Sequence, residues 1–257
     1  MPFAGKLRII DFPLSNCVNS GIRHAAVLTQ YKAQSLIRHV EHGWGFLAAD
    51  LGEYIDVVPA QQRVDEGWYS GTANAVYQNL ELVHEVDPEY VLVLAADHVY
   101  KMDFSRILAE HVDKHADATV ACIEVPLSDA AGFGVMGVDA QGRVTAFVEK
   151  PSGSNLPPGC SARDDRVLAS MGIYVFNTAF LYAELERDAT DASSSHDFGK
   201  DVIPHMVGRH GLFAHRFADS LRQHGWRASL MARRRHDRRV LGSQHGPDQG
   251  RPRTQSL

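Results

Sequence analysis

Residues 91–98 read Val91-Leu92-Val93-Leu94-Ala95-Ala96-Asp97-His98, an apolar run that ends on an acid. A run apolar on both faces is the pattern of a central strand in a parallel sheet, because helices cover such a sheet on each side. Ligands of these open sheets bind beyond the carboxyl ends of the strands. Asp97 falls at that place: small residues precede it, and its carboxylate can hold a cation. Phosphate chemistry needs a divalent metal held by one or two carboxylates. The competing reading is a helix N-cap, for which Asp is preferred, and Asp103 and Ser105 also precede a helix-like stretch.

Outward from that strand, helices and strands alternate. On the amino-terminal side the patterning predicts a helix from Asp11 to near Gly21, a strand over Ala25–Leu28, a helix over Ala33–His42 and a strand over Tyr54–Val58. A long helix over Thr72–Val86 then leads into the opening strand. On the carboxyl side a helix over Phe104–His115 and a strand over Ala118–Val125 follow. Residues 133–148 read as a hairpin around Asp139-Ala140-Gln141-Gly142, then a strand over Leu168–Phe176 and a helix over Phe180–Glu186. Asp197–Val207 has helical character, with Pro204 expected to kink or end it. Alternation with some antiparallel pairs indicates an α/β sheet of mixed direction.

At 257 residues the chain suffices for one large or two small domains. No run reaches membrane-spanning length, and the start lacks a secretory pattern. Cys17, Cys122 and Cys160, odd in number and scattered, read as reduced packing residues of a cytoplasmic protein. Charge is divided unevenly. Residues 221–257 hold nine arginines, two aspartates and neither lysine nor glutamate, a net of +7; with −5 overall, residues 1–220 carry −12.

Several short motifs dissolve on inspection. Gly132 to Gly137 matches G-x-G-x-x-G, but a dinucleotide loop needs a strand before it and a helix after it, and here a hairpin follows. Asp197-Phe198-Gly199 has no other kinase element around it. The fourteen histidines form no paired-ligand pattern. Three clusters carry more. Gly71-Thr72 stands at a helix start, where backbone N–H groups can hold an anion or a base edge. Glu149-Lys150-Pro151 ends a strand: Glu149 suits sugar hydroxyls and Lys150 a phosphate, although an exposed ion pair is the commoner meaning. Ser170 puts one hydroxyl at the start of a buried strand.

Taken in order, L-R-I-I-D-F-P-L-S-N (7–16), P-A-Q-Q-R (59–63), G-T-A-N-A-V-Y-Q-N (71–79), A-D-H-V-Y-K-M-D (96–103), F-V-E-K-P (147–151), A-S-M-G-I-Y-V-F (169–176) and S-S-H-D-F-G-K-D-V-I-P (194–204) resemble the bacterial glucose-1-phosphate adenylyltransferases. The resemblance covers about residues 2–220. It implies an α/β, Rossmann-like nucleotidyltransferase fold with a mixed, mostly parallel sheet. It also implies formation of ADP-glucose and pyrophosphate from ATP and glucose 1-phosphate, the donor step of glycogen biosynthesis, in the cytoplasm and with Mg2+. By matching motifs, Asp97 corresponds to the metal-binding catalytic acid. Tyr69, Gly134, Glu149, Lys150 and Ser170 correspond to glucose 1-phosphate contacts, and Gln62, Gly71 and Thr72 to residues around the nucleotide. Neither nucleic acid nor membrane is an expected partner. The family is homotetrameric.

The chain also departs from the pattern. Ala96 stands where the family has Gly, and Asn74 where it has Asp. Set against the family pattern, the chain is expected to lack the glycine-rich triphosphate loop that precedes these motifs and the C-terminal β-helix domain used in assembly. Residues 1–220 are therefore expected to be an incomplete nucleotidyltransferase domain, and residues 221–257 a non-native, disordered arginine-rich tail. Back-translation of residues 231–249 with a one-base shift permits W-R-D-V-G-T-I-D-A-F-W-E-A-N, the family's next segment, which holds its second metal acid. A frameshift is thus the expected origin of the tail, against the alternative of a true nucleic-acid-binding tail. The expectation for the chain as written is no measurable ADP-glucose. Two alternatives stand beside the main reading: a non-catalytic binding or assembly paralogue, and a sugar pyrophosphorylase using dTTP or UTP.

Overall fold

The structure, a computed structural model, describes residues 2–3, 5–30, 33–48, 50, 52–60, 68–152, 156–160 and 165–221. The chain begins with a short antiparallel pair, β1 (Pro2–Phe3) and β2 (Leu7–Arg8), then α1 (Asp11–Asn19), β3 (His24–Thr29), α2 (Ala33–Trp44) and β4 (Tyr54–Pro59). Next come α3 (Thr72–Tyr77), α4 (Leu80–Val86), β5 (Tyr90–Leu94), α5 (Phe104–Asp113) and β6 (Ala118–Pro126). The hairpin β7 (Gly134–Val138) and β8 (Val144–Glu149) leads to β9 (Arg166–Asn177), α6 (Thr178–Thr190), α7 (Ile203–Met206) and β10 (Leu212–Arg216). No helix of the described residues is long and apolar enough to cross a membrane.

β9 organises the core because its side chains alternate between two faces. Tyr174 and Phe176 join Met136, Phe147, Leu181, Phe198, Ile203 and Met206 on one face, under α3, α6 and α7. Met171, Ile173 and Val175 join Cys17, Tyr100, Phe104 and Ile107 on the other, under α1 and α5. β5 divides in the same way: Val91 and Val93 pack against the first cluster, and Tyr90, Leu92 and Leu94 against the second. Its two-sided apolar run is thereby explained.

The strand order is β10-β6-β9-β7-β8, with β5 also paired to β9, and β3 with β4 forms a separate parallel pair. The sheet is mixed, as expected, but two directional expectations need correction. β5 is not flanked by a parallel strand among the described residues, since its partner β9 runs against it. The described ladders are also more often antiparallel than parallel: β6–β10 and β3–β4 are parallel, whereas β9 opposes β5, β6 and β7. A parallel neighbour requires a long crossover, usually a helix. β9 instead arrives from the β7–β8 hairpin, with no helix among the described residues between β8 and β9. The hairpin turn is as read: Asp139 Oδ1 accepts from Gln141 N and Arg143 N at 2.9 and 2.8 Å, and Gly142 takes φ +80°.

Two helix boundaries also differ from expectation. The long helix over 72–86 breaks between α3 and α4, because Asn79 turns its side chain back onto the backbone. Its Nδ2 donates to Ala75 O at 2.8 Å and to the Tyr69 hydroxyl at 2.9 Å. The 197–207 segment forms one π-helical turn, Phe198–Val202, before α7, with Pro204 in the first turn of α7, where a missing N–H is tolerated. Asp103 is the N-cap of α5, accepting from Ser105 N at 3.2 Å. The capping role therefore belongs to Asp103, six residues beyond Asp97.

Candidate functional site

β9 changes partner part-way along one edge. Leu94 lies opposite Ile173, and Ala95 N donates to Gly172 O at 2.8 Å, whereas Val135 of β7 lies opposite Ala169. β5 therefore leaves the sheet, carboxyl end first, where β7 enters it. Ser170-Met171-Gly172 form the floor between them. On the opposite edge the β6 ladder slips at the same level: Met171, Gly172 and Ile173 together face the single residue Ala121. Such bulges bend a strand and re-aim its side chains beside functional sites. Gly172 has φ +67°, and a Cβ there would stand 2.9 Å from the Ala95 methyl. A crevice at a strand's carboxyl end, at a change of neighbour, is where open α/β sheets bind ligands.

Asp97 follows β5 into this crevice with its carboxylate 58% exposed, and Oδ1 lies 2.9 Å from His98 Nδ1. Ser170 lies on the floor, where its hydroxyl accepts from Gly172 N at 3.2 Å and bonds to Tyr174. Burial raises the Tyr174 phenol well above the usual tyrosine range. Across the gap, the paired residues Gly134 and Glu149 begin β7 and end β8. A Cβ on Gly134 would meet Phe147 Cζ at 2.4 Å and Glu149 Oε2 at 2.6 Å, so only glycine leaves this carboxylate its place. Glu149 pairs with Lys150 Nζ at 3.1 Å and is only 18% exposed. Lys150 takes φ +49°, a backbone state that non-glycine residues adopt mainly where function or turns demand it. The adjacent charges thus form an ion pair, but a half-buried and strained one.

The Gly71-Thr72 segment is packed against the loop before the π-helical turn. Thr72 Oγ1 donates to Asp197 Oδ2 at 3.1 Å and accepts from Phe198 N at 3.0 Å. Gly71 is extended, and its lack of a side chain admits the neighbouring backbone: a Cβ would lie 2.2 Å from His196 O. The helix start is partly occupied from within. Ala73 N and Asn74 N, the second and third N–H groups of α3, donate to His196 O at 2.8 and 3.3 Å. A protein carbonyl from far along the chain fills that position. Tyr69 is tied to Asn79 through its hydroxyl and to Gln30 through its carbonyl. Gln62 lies outside the described residues.

The structure therefore joins Gly134, Glu149 and Gly199 in one contact group and Gly71, Thr72, His196 and Asp197 in another. A Cβ on Gly199 would stand 2.8 Å from Glu149 Oε2 and 3.4 Å from Asp197 Oδ1, which links the two groups. Ser170 lies on the floor of the same crevice, and Asp97 follows the end of β5 beside it. Residues that motif reading did not single out hold this arrangement. Asp188, almost fully buried, accepts from Ser194 Oγ at 2.7 Å and faces His196 Nδ1 at 2.9 Å, fixing the loop whose carbonyl caps α3. Asn16, buried under the loop after Asp97, donates to Tyr100 O at 3.0 Å and accepts from Met102 N at 3.3 Å. Asp188 has no motif of its own; Asn16 was visible only as the last residue of P-L-S-N. A polar cavity of about 400 Å3 beside the π-helical turn is lined by Arg187, Lys200, Asp201, His205 and Arg209. Its Arg187 and His205 sit 3.1 Å from the buried Glu184 carboxylate, a structural charge cluster rather than part of the crevice.

Chemically, the crevice offers one exposed carboxylate at a strand end, a second carboxylate beside an ammonium, and a hydroxyl on the floor. Among the described residues no three His, Cys, Asp or Glu side chains converge as a metal cage. The arrangement suits positioning of a polar, phosphate-bearing ligand.

Comparison with known proteins agrees with this geometry. The family model described as nucleotidyl transferase matches residues 1–227. A glucose-1-phosphate adenylyltransferase of Methylococcus capsulatus is 58% identical over 220 residues, 86% of this chain and 51% of that protein. Proteins of the same name from Dechloromonas aromatica and Rhodospirillum rubrum are 61% and 54% identical over 221 residues, again 86% of this chain. The chain spans about half the length of the curated relatives it matches. With most of its length matched by the family model, and with the crevice formed where β5 and β7 part along β9, the chain belongs to the nucleotidyl transferase family.

Proposed function

We propose that this chain carries the sugar-phosphate side of a glucose-1-phosphate adenylyltransferase, which forms ADP-glucose and pyrophosphate from ATP and glucose 1-phosphate in the cytoplasm, for glycogen synthesis. The observation that carries the reading is the crevice itself. Asp97 follows the end of β5, the paired Gly134 and Glu149 begin β7 and end β8 across the gap along β9, and the chain is 54–61% identical to proteins of that name. In this reading Glu149 accepts from sugar hydroxyls, Lys150 and Ser170 hold the sugar's phosphate, and Thr72 with Gly71 borders the nucleotide. The sugar phosphate's oxygen attacks the α-phosphorus in line and pyrophosphate leaves. Such a reaction depends on positioning and charge stabilisation rather than on a protein base.

A magnesium ion fits the donors present. Mg2+ is typically held by one or two carboxylates and by phosphate oxygens, keeping several waters. Asp97 supplies a hard, exposed oxygen donor at the right end of β5. When bound, the ion would neutralise charge developing on the phosphates. Asp97 would hold it.

Binding tests this reading without depending on turnover. ADP-glucose and glucose 1-phosphate should raise the thermal midpoint of the protein and give measurable heats of binding. The Glu149→Gln variant should lose glucose 1-phosphate binding by at least about tenfold, as expected for a buried charge-assisted contact of about 1.5–3 kcal/mol. Tighter binding of UDP-glucose or dTDP-glucose than of ADP-glucose would move the assignment to another pyrophosphorylase. Absence of binding by all three nucleotide sugars would sink it.

A further inference from the structure

The geometry points to His98 as a positioning residue that fixes the Asp97 carboxylate in the crevice. This rests on the reading of Asp97 as the magnesium acid. Asp97 is exposed, and an exposed aspartate ordinarily samples several rotamers. Here its Oδ1 lies 2.9 Å from His98 Nδ1. A carboxylate can only accept, so the proton of this bond sits on Nδ1.

His98 itself is immobile. Its side chain is 5% exposed, and its ring stacks on Tyr100 with centroids 4.6 Å apart and planes 24° from parallel. Tyr100 is buried in the cluster that contains Cys17, Met102 and Phe104. The backbone that follows is clamped from α1 and its C-cap, by Asn16 at Tyr100 O and Met102 N and by Ser20 Oγ at Phe104 N, 2.8 Å away. The loop after β5 is therefore held to the core, and the imidazole links that held segment to the Asp97 carboxylate.

The other nitrogen separates this role from ordinary core packing. Among the described residues His98 Nε2 is buried with no hydrogen-bond partner, and so is the Tyr100 hydroxyl. A histidine kept for stability alone would be a poor choice at this site, because it leaves a buried polar atom unpaired. What the imidazole supplies that a phenyl ring cannot is the Nδ1–H directed at Asp97. Groups that orient metal ligands from behind commonly change metal affinity by 10–100-fold when lost.

The test uses Mn2+ as the probe, with ATP present, followed by electron paramagnetic resonance on the 257-residue protein. The thermal midpoint of each variant is measured alongside. His98→Phe keeps the ring on Tyr100 and removes the donor. It should melt at or above the wild-type temperature and bind Mn2+ about tenfold more weakly. His98→Asn places a side-chain N–H close to the position of Nδ1 and should restore binding to within about threefold of wild type. His98→Gln, which carries its amide one bond further out, should not. If His98→Phe fails to fold, the Asn and Gln pair still decides the question, because the two differ in donor position and not in polarity. Wild-type Mn2+ affinity in His98→Phe or His98→Gln, with Asp97→Asn impaired, would overturn the positioning role alone. Wild-type affinity in Asp97→Asn would overturn the metal reading beneath it as well.

Discussion

Gly71→Ala is the sharpest perturbation this structure offers, since it adds one methyl where three backbone atoms already stand. The new Cβ would lie 2.2 Å from His196 O, 2.5 Å from Ser195 O and 2.6 Å from His196 C. Carbonyl backbone cannot rotate aside as a lysine tip would. The 195–196 segment must therefore withdraw by about 1 Å or more to reach ordinary contact. Withdrawal lengthens the bonds from Ala73 N and Asn74 N to His196 O and strains those of Thr72 Oγ1 with Asp197 and Phe198 N. Overpacking alone costs about 1–3 kcal/mol. Each backbone hydrogen bond lost adds roughly 0.5–1.5 kcal/mol. The expected destabilisation is then about 3–5 kcal/mol, a large part of the 5–15 kcal/mol typical of a domain. At about 2–4 °C per kcal/mol for a domain of this size, the midpoint should fall by roughly 10 °C. Differential scanning calorimetry is the assay, with Gly43→Ala as its control. Gly43 lies in α2 with nothing within 4 Å of an added Cβ. That change should be neutral or stabilise by up to about 1 kcal/mol. A Gly71→Ala midpoint within about 2 °C of wild type would refute the argument, because the His196 carbonyl would then not be rigidly held.

Two further outcomes follow from the buried groups. Burial pushes the Cys17 and Cys122 thiols up to about 12, whereas Cys160 is partly exposed; a thiol reagent at pH 8 should titrate one cysteine quickly and the other two only on unfolding, and rapid reaction of all three would contradict the packing. The hydrogen bond from His215, aided by Lys114 against the cost of burial, holds the Glu110 carboxyl down to about 2, below its ordinary 4.5. Because the folded value is the lower one, this pair stabilises fully above about pH 4.5 and loses its contribution as pH falls toward 2. Glu110→Gln should therefore lose less stability than wild type between those two pH values, and parallel stability curves would show that the pair does not act this way.

The elements were legible in the sequence where their causes are local, and opaque where they are not. The apolar run of β5, the Asp139–Gly142 turn and the Asp103 cap each rest on neighbours within a few residues, and each is found as read. The direction of β5 was not readable, because its partner Phe176 stands opposite Val91 from far along the chain. The break between α3 and α4 depends on Asn79 reaching Tyr69, a contact that helix propensity does not encode. At the site, Glu149 and Gly134 were visible as motif members, and the structure adds the reason that they go together. At the mouth of α3 the amides of Ala73 and Asn74 look available in the sequence, and a carbonyl more than a hundred residues away takes them.

The slip in the β6–β9 ladder has a consequence for how this chain tolerates change in length. Three residues of β9 oppose one of β6, an excess of two, so side chains beyond the slip keep their faces. Losing or gaining a single residue there would turn Tyr174 and Phe176 out of one cluster and Ile173 and Val175 out of the other. Deleting two, Met171 and Gly172, would preserve parity and regularise the ladder while pulling Ser170 up against the end of β5. Such a chain would retain its architecture and lose the hollow between β5 and β7. The paired deletion is therefore a natural scaffold control for any ligand measured on the intact chain.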